Sequence, residues 1–178
     1  PTEIDGTMCY FTPEGIYVLL VNYNHGVPEN YDPDLVPFGS YARVSRVAAE
    51  PLTRMINDCK EATGLSVWLN CAYRSLKEQQ DIMKERTKEH MEQDGLSEAA
   101  AYQKALQTVA VPGYSEHQVG LAMDIVCSGL TDWLIKNCWD YGFILRYPEN
   151  KTDITHIAYE HWHFRYVGTE VSKAMKDT

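Results

Sequence analysis

Ser115-Glu116-His117-Gln118-Val119-Gly120-Leu121-Ala122-Met123-Asp124-Ile125 is the stretch whose reading decides the fold. Its histidine follows a Pro112-Gly113-Tyr114 turn, and its aspartate stands inside an apolar, strand-like run. A carboxylate between Met123 and Ile125 is costly to bury unless something cationic pairs with it. A metal held jointly with His117 would meet that need. Far downstream, Glu160-His161-Trp162-His163 supplies another acid and another imidazole. The expectation is one metal centre assembled from both ends of the second half of the chain.

Size and composition fit a protein that can carry such a centre without needing it to fold. A chain of 178 residues suits one domain, or one domain with an appended arm, and buries roughly 70% of its unfolded surface. At 44% hydrophobic and 23% charged it has ordinary globular composition. A formal charge of -9 argues against nucleic acid or an anionic membrane as the main partner. The longest unbroken apolar run, Ile16 to Val21, is far too short to span a bilayer. Cys9, Cys59, Cys71, Cys127 and Cys138 are odd in number and lack C-x-x-C spacing, so most read as small buried hydrophobes. The chain begins with Pro1 rather than Met. Its expected place is the cell envelope if an upstream signal or anchor has been removed, and the cytoplasm otherwise.

Along the chain, residues 1–40 are rich in turn formers and read as an arm on the core, with one buried strand at Ile16 to Val21. Residues 41–178 read as the main domain. From Val44, the apolar positions Val47, Ala48, Leu52, Met55, Ile56 and Cys59 follow helical steps, with Pro51 in the first turn or at a kink and Gly64 as the stop. Ser66 to Cys71 predicts a strand. Ser75-Leu76-Lys77-Glu78 is a capping box, which predicts a helix from Ser75 to about His90. Ser97 caps a further helix over 97–110. Leu121 to Cys127 predicts a strand, Leu130 to Tyr141 a helix ended by Gly142, and Ile154 to Tyr159 and Trp162 to Val167 a last pair of strands. Strands separated by helices of unequal length, without a βαβ rhythm, predict an α+β fold around an antiparallel sheet.

A catalytic zinc typically has three protein ligands and one open position. His117, Asp124 and His163 offer two neutral imidazoles and one carboxylate, leaving the ion a Lewis acid of net charge about +1. Hydrolysis also needs a base, and Glu160 is the candidate. On a regular strand, positions 161 and 163 share a face whereas 160 and 163 do not. Glu160 therefore serves only if the backbone bends near Trp162; otherwise His161 is the better companion of His163. Arg74 and Gln79 flank a helix N-terminus, where an arginine could hold an oxyanion, grip a substrate carboxylate, or simply pair with a surface acid. Each piece has an ordinary reading too: His117 as a turn histidine, Asp124 as a cap, and His25, His90 and His156 as surface or structural residues. The joint occurrence is what speaks for a site.

These motifs resemble a known family. Tyr73-Arg74-Ser75-x-x-x-Gln79, Ser115-x-His117-x-x-Gly120-x-Ala122-x-Asp124 and Glu160-x-Trp162-His163-x-x-Tyr166 look like those of the VanY-type D-alanyl-D-alanine carboxypeptidases. These are zinc peptidases that share a fold with lysostaphin-like enzymes and the hedgehog signalling domain. The resemblance spans roughly residues 40–170. It implies a small antiparallel sheet, flanked by helices, that carries one Zn2+. It implies His117, Asp124 and His163 as ligands, Glu160 as catalytic base, Arg74 as oxyanion or substrate holder, and Ser115 and Gln79 as substrate contacts. The implied substrate is a peptidoglycan stem peptide or precursor ending in D-Ala-D-Ala, whose trimming would remove the end that vancomycin binds. Cys71-Ala72 stand where Ser-Gly is common, and His161 where proline is common. A D,D-dipeptidase, a bifunctional dipeptidase/carboxypeptidase and an L,D-carboxypeptidase are alternatives within the same chemistry. A non-catalytic zinc module of the same fold is the alternative outside it, but a structural zinc needs neither Arg74 nor Glu160.

Overall fold

Alternation along one strand decides which way the central sheet faces. In the computed structural model, which describes residues 2–4, 7–12, 17–127 and 132–176, Met123, Ile125 and Cys127 enter the hydrophobic core. Asp124, one step out of phase, goes to the other face.

The described chain opens with β1 (Thr2–Ile4), β2 (Thr7–Phe11) and β3 (Tyr17–Leu19), then β4 (Leu35–Phe38) and β5 (Ala42–Ser45). Next come α1 (Arg46–Thr63), β6 (Val67–Cys71), α2 (Leu76–Asp94), α3 (Glu98–Ala105) and β7 (Ala122–Cys127). The last part holds α4 (Asp132–Asn137), β8 (Phe143–Leu145), α5 (Thr152–Thr155), β9 (His163–Tyr166) and α6 (Thr169–Lys176). The strands form three antiparallel groups, β1-β2-β3, the hairpin β4-β5, and the central sheet β6-β7-β9-β8. The fold is thus the expected α+β arrangement of helices around a small antiparallel sheet.

Helix α1 covers the core face. Its Ala48, Leu52, Met55, Ile56 and Cys59 are buried in one cluster with Val67 and Leu69 of β6, Met123 and Ile125 of β7, and Phe164 of β9. Each full burial of a Leu, Ile or Met contributes about 1.5–3 kcal/mol, so this layer holds the sheet flat against the helix. Gly64 ends α1 in the left-handed region, its N–H bonded to the Lys60 carbonyl at 2.8 Å. Helix α2 starts with the capping box: Glu78 N–H donates to Ser75 Oγ at 3.2 Å, and Ser75 N–H to Glu78 Oε2 at 2.7 Å.

Several expectations are corrected. Val44 belongs to β5, and α1 begins one residue after its Ser45 cap, so Pro51 falls in the second turn. Helix α2 runs on to Asp94, past His90. Helix α3 stops at Ala105 rather than 110, where β-branched Thr108, Val109 and Val111 precede Pro112. The helix at 132 turns into a tighter 3-10 turn at Cys138–Tyr141, and Leu130 lies outside the described residues. Ile16 lies outside them too, and the expected arm strand is described from Tyr17 to Leu19. The stretch Ile154 to Tyr159 is no strand. Thr152–Thr155 is a helical turn, His156 is left-handed (φ 59°), and Ala158 N–H is drawn to the Gln107 carbonyl at 2.9 Å. The partner of β9 on that side is β8, a three-residue strand too short to stand out in the sequence.

Gly120 joins the site to the rest. It takes φ 71°, and a Cβ there would lie 2.7 Å from Leu35 Cδ2 and 3.1 Å from the Ser45 backbone nitrogen, whose N–H bonds to the Gly120 carbonyl. Gly120→Ala therefore combines backbone strain with a backbone clash. It should lower stability by about 1–3 kcal/mol. An unchanged thermal midpoint for that variant would contradict this account of the turn.

Candidate metal centre

Asp124 stands between two strands, and register puts a residue with a potential metal-donor atom on either side of it. Its Cα partner on β9 is His163. On β6 the register is Val67↔Cys127, Trp68↔Val126 and Leu69↔Ile125, then jumps so that Cys71, not Asn70, lies opposite Asp124. That β-bulge re-aims the strand end beside the site. His117 comes from the 3-10 turn Glu116–Val119, whose C-cap is Gly120.

The donor atoms converge. Asp124 Oδ1 lies 3.5 Å from His117 Nε2 and 3.3 Å from His163 Nδ1. Ligands at ~2.0–2.1 Å from a tetrahedral zinc stand roughly 3.3–3.4 Å from one another, so the two spacings to Asp124 fit that ion. Asp124 Oδ1 is buried without a hydrogen-bond partner, which a cation would supply. His117 Nδ1 lies 2.7 Å from the Ala72 carbonyl, which can only accept, so the ring donates there and turns the Nε2 lone pair to the site. Donor atoms of Cys71, His117 and Asp124 all gather within 4.8 Å of one another. Cys71 Sγ, however, faces the Nδ1 side of His117 at 3.9 Å, the side already committed to Ala72.

All seven residues singled out from the sequence line one cavity of about 210 Å3: Arg74, Gln79, Ser115, His117, Asp124, Glu160 and His163. The bend that Glu160 requires is present. Strand β9 begins at His163, residues 161–162 form a turn, and Glu160 Oε2 reaches within 3.5 Å of His163 Nδ1. His161 instead packs its ring against Trp162, with centroids 4.7 Å apart. Arg74 Nη1 donates to Gln79 Oε1 at 2.8 Å, and Gln79 Nε2 donates to the Ala110 carbonyl at 2.7 Å, so Gln79 braces the arginine from behind. Ser115 is buried at the start of the turn that carries His117.

The three carboxyls near the site are held in different states. Burial opposes ionisation of Asp124, but the His117 and His163 imidazoles outweigh it and hold Asp124 far below the usual carboxylate range. Burial likewise opposes Glu116, and Arg146 and Arg165 override it. For Glu160 burial wins over the nearby His163, and the carboxyl is pushed up. The Cys71 thiol is lowered because contacts with His117 and Arg74 overcome its burial. The reading of the sequence missed Glu116, Arg146 and Tyr147. Glu116 is 4% exposed and accepts from Arg146 Nε at 2.8 Å, and the Tyr147 ring lies tilted against the His163 ring, with centroids 4.7 Å apart. The one available signal was an acid wedged between Ser115 and His117.

An α+β scaffold that presents two imidazoles, a carboxylate and a burial-raised acid to one cavity is the arrangement of a metallopeptidase. Residues 41–169 match the family VanY, D-alanyl-D-alanine carboxypeptidase, and the chain belongs to this family of zinc-dependent peptidases. A D-alanyl-D-alanine carboxypeptidase of Enterococcus faecalis is 37% identical over 162 residues, taking in 87% of this chain; the chain spans 60% of that relative's length. The bifunctional D-Ala-D-Ala dipeptidase and D-Ala-D-Ala carboxypeptidase VanXYC of Enterococcus gallinarum is 38% identical over 177 residues, 88% of this chain and 86% of that protein. Among solved structures, a variant of the vancomycin resistance D,D-pentapeptidase VanY from a VanB-type cassette, in complex with Zn(II), superposes with a TM-score of 0.84 at 36% identity, over 89% of this chain and 92% of that one. The LD-carboxypeptidase LdcB gives 0.76 at 34% identity, over 99% and 87%.

The electrostatics give a pH signature. In the metal-free protein, burial disfavours a charged His117 ring, but the nearby Asp124 charge prevails and raises it to about 10. A raised folded value stabilises fully below the unfolded imidazole value of ~6.5 and is lost as pH climbs through the folded one. The thermal midpoint of metal-free protein should therefore fall between neutrality and about pH 10. Zinc needs the neutral ring, so stabilisation by added zinc should grow over the same range. Thermal scans of both forms test this, and parallel pH profiles would refute it.

Proposed function

We propose that this chain is a zinc-dependent D,D-carboxypeptidase that hydrolyses the terminal D-alanine from peptidoglycan stem peptides ending in D-Ala-D-Ala. The observation that carries this reading is the meeting, in one cavity, of two imidazoles that each stand within 3.5 Å of the Asp124 carboxylate with an acid whose carboxyl burial drives upward. One Zn2+ would be held by His117 through Nε2, Asp124 through Oδ1 and His163 through Nδ1. When bound, the ion supplies a Lewis acid and lowers the pKa of a water toward ~7. Glu160 takes the proton of the attacking water and returns it to the amine of the departing D-alanine, a return that its raised carboxyl favours. Arg74, fixed by Gln79, meets the negative charge of the developing oxyanion or of the substrate's terminal carboxylate. Gln79 thus serves the substrate through Arg74, while Ser115 contacts it from the cavity wall. Residues 41–178 form the catalytic domain and residues 1–40 an arm packed on it. Removing the last D-alanine destroys the terminus that vancomycin binds, which ties this activity to glycopeptide resistance.

Two neighbouring preferences belong to relatives of similar identity: the dipeptidase activity in the name of VanXYC and the L,D activity in that of LdcB. Mass spectrometry of products separates all three. The substrates are D-Ala-D-Ala dipeptide, a pentapeptide ending in D-Ala-D-Ala, and a tetrapeptide ending in an L-residue followed by D-Ala, each with and without chelator. Chelator-sensitive release of D-alanine from the pentapeptide alone is the expected result. Cleavage confined to the dipeptide or to the tetrapeptide would overturn it. Glu160→Ala should retain zinc yet lose turnover by ~100-fold or more; full activity at full zinc occupancy would remove Glu160 from the role of base.

A further inference from the structure

Glu116 precedes one metal-site histidine in the chain and faces the other in space. Its Oε2 lies 3.5 Å from His163 Nε2, while the opposite ring nitrogen, Nδ1, faces Asp124 Oδ1 at 3.3 Å. Both atoms are buried, and neither has a hydrogen-bond partner, so each stands 3.5 Å from the one charge that could satisfy it. The carboxylate is itself gripped from behind. Arg146 Nε donates to its Oε1 at 2.8 Å, and Arg165 Nη1 approaches the same oxygen at 3.5 Å. Arg165 is 2% exposed and uses Nη2 to hold the Leu19 carbonyl at 2.8 Å. A line of buried polar contacts therefore runs from β3 through Arg165 and Glu116 to the back of the His163 ring.

Such a cluster is poor value as a fold stabiliser. Removing a charge from water costs several kcal/mol, and replacing a buried ion pair with apolar residues is often neutral or stabilising. A histidine that coordinates through one nitrogen carries its proton on the other and needs an acceptor there. His117 meets that need with the Ala72 carbonyl. Around His163 Nε2, Glu116 is the group on offer.

We propose that Glu116 is a positioning residue of the metal centre: its carboxylate accepts the His163 Nε2 proton and so aims Nδ1 at the ion, while Arg146 and Arg165 fix the carboxylate. The inference rests on His163 being a zinc ligand, as read above. It gives the two ligand histidines unequal support, one from an uncharged backbone carbonyl and one from an anion.

The test uses the full chain loaded with zinc. Imidazole nitrogen-15 spectra of the parent should show a slowly exchanging His163 Nε2–H at low field, and Glu116→Gln should move that proton upfield. Glu116→Asp keeps the charge for both arginines but shortens the reach by one methylene. Competition with a chromophoric chelator should show ~10–100-fold weaker zinc binding by this variant, while the thermal midpoint of its metal-free form stays close to the parent's. Parent-like zinc affinity in folded Glu116→Asp, or a parent His163 Nε2 that carries no proton, overturns the proposal. If Glu116→Gln fails to fold, the aspartate variant and the parent spectrum decide. A parent that takes up no zinc would instead strike the metal assignment, so the two failures are distinguishable.

Discussion

Everything at the site depends on Asp124 pairing with His163 across β7 and β9. A slip of one residue would carry Met123 or Phe164 onto the site face and turn Asp124 or His163 into the core, because side chains alternate with a period of two. The opposite face forbids this slip. Met123, Ile125, Phe164 and Tyr166 all lie in the cluster under α1, and exposing any of them would forfeit about 1.5–3 kcal/mol. The hydrophobic face therefore fixes the spacing of polar donors that it never touches.

Charge completes what register begins. Asp124, Glu116 and Glu160 lie close together and are 8%, 4% and 8% exposed, yet only the first two are held strongly ionised. The difference lies in their neighbours. Asp124 faces two imidazoles and Glu116 two guanidiniums, whereas desolvation dominates Glu160. Carboxyls whose surroundings push them apart divide the labour of a site: anions that hold, and an acid that exchanges a proton. This is the difference on which the proposed proton-transfer role of Glu160 rests.

The parts of the fold that could be read in the sequence are those whose signals are local. Steps of three and four gave α1, the Ser75–Glu78 box gave the start of α2, and a short apolar run gave β7. What could not be read is set by distant partners. Ile154 to Tyr159 has strand-like apolar residues, but Ala158 is fixed by Gln107 and Glu160 by Tyr147, contacts no local window contains. β8 is a strand only because β9 lies beside it. At the site, the residues brought together by motif spacing all reach the cavity. Glu116 escaped because an acid in the first turn of a short helix normally faces water; its burial is imposed by Arg146 and Arg165 from later in the chain.

The proposed metal donors and most of the surrounding cavity wall are carried on different elements. Asp124 and His163 belong to the central sheet, and His117 is tied to it through Ala72. The rest of the cavity wall, Ile82, Arg86, Thr108, Val109, Ala110 and Ile157, comes from α2, the turns after α3 and the irregular stretch before β9. Those segments are tied to one another by isolated hydrogen bonds, such as Gln79 to Ala110 and Ala158 to Gln107, rather than by a strand ladder. Substitutions in them can reshape the cavity while leaving donor spacing intact, since connecting segments tolerate change that the sheet does not. A family built this way can keep one hydrolytic centre and vary the peptide end it accepts, which is the pattern seen in relatives of near-equal identity named for D,D-carboxypeptidase, dipeptidase and LD-carboxypeptidase activities.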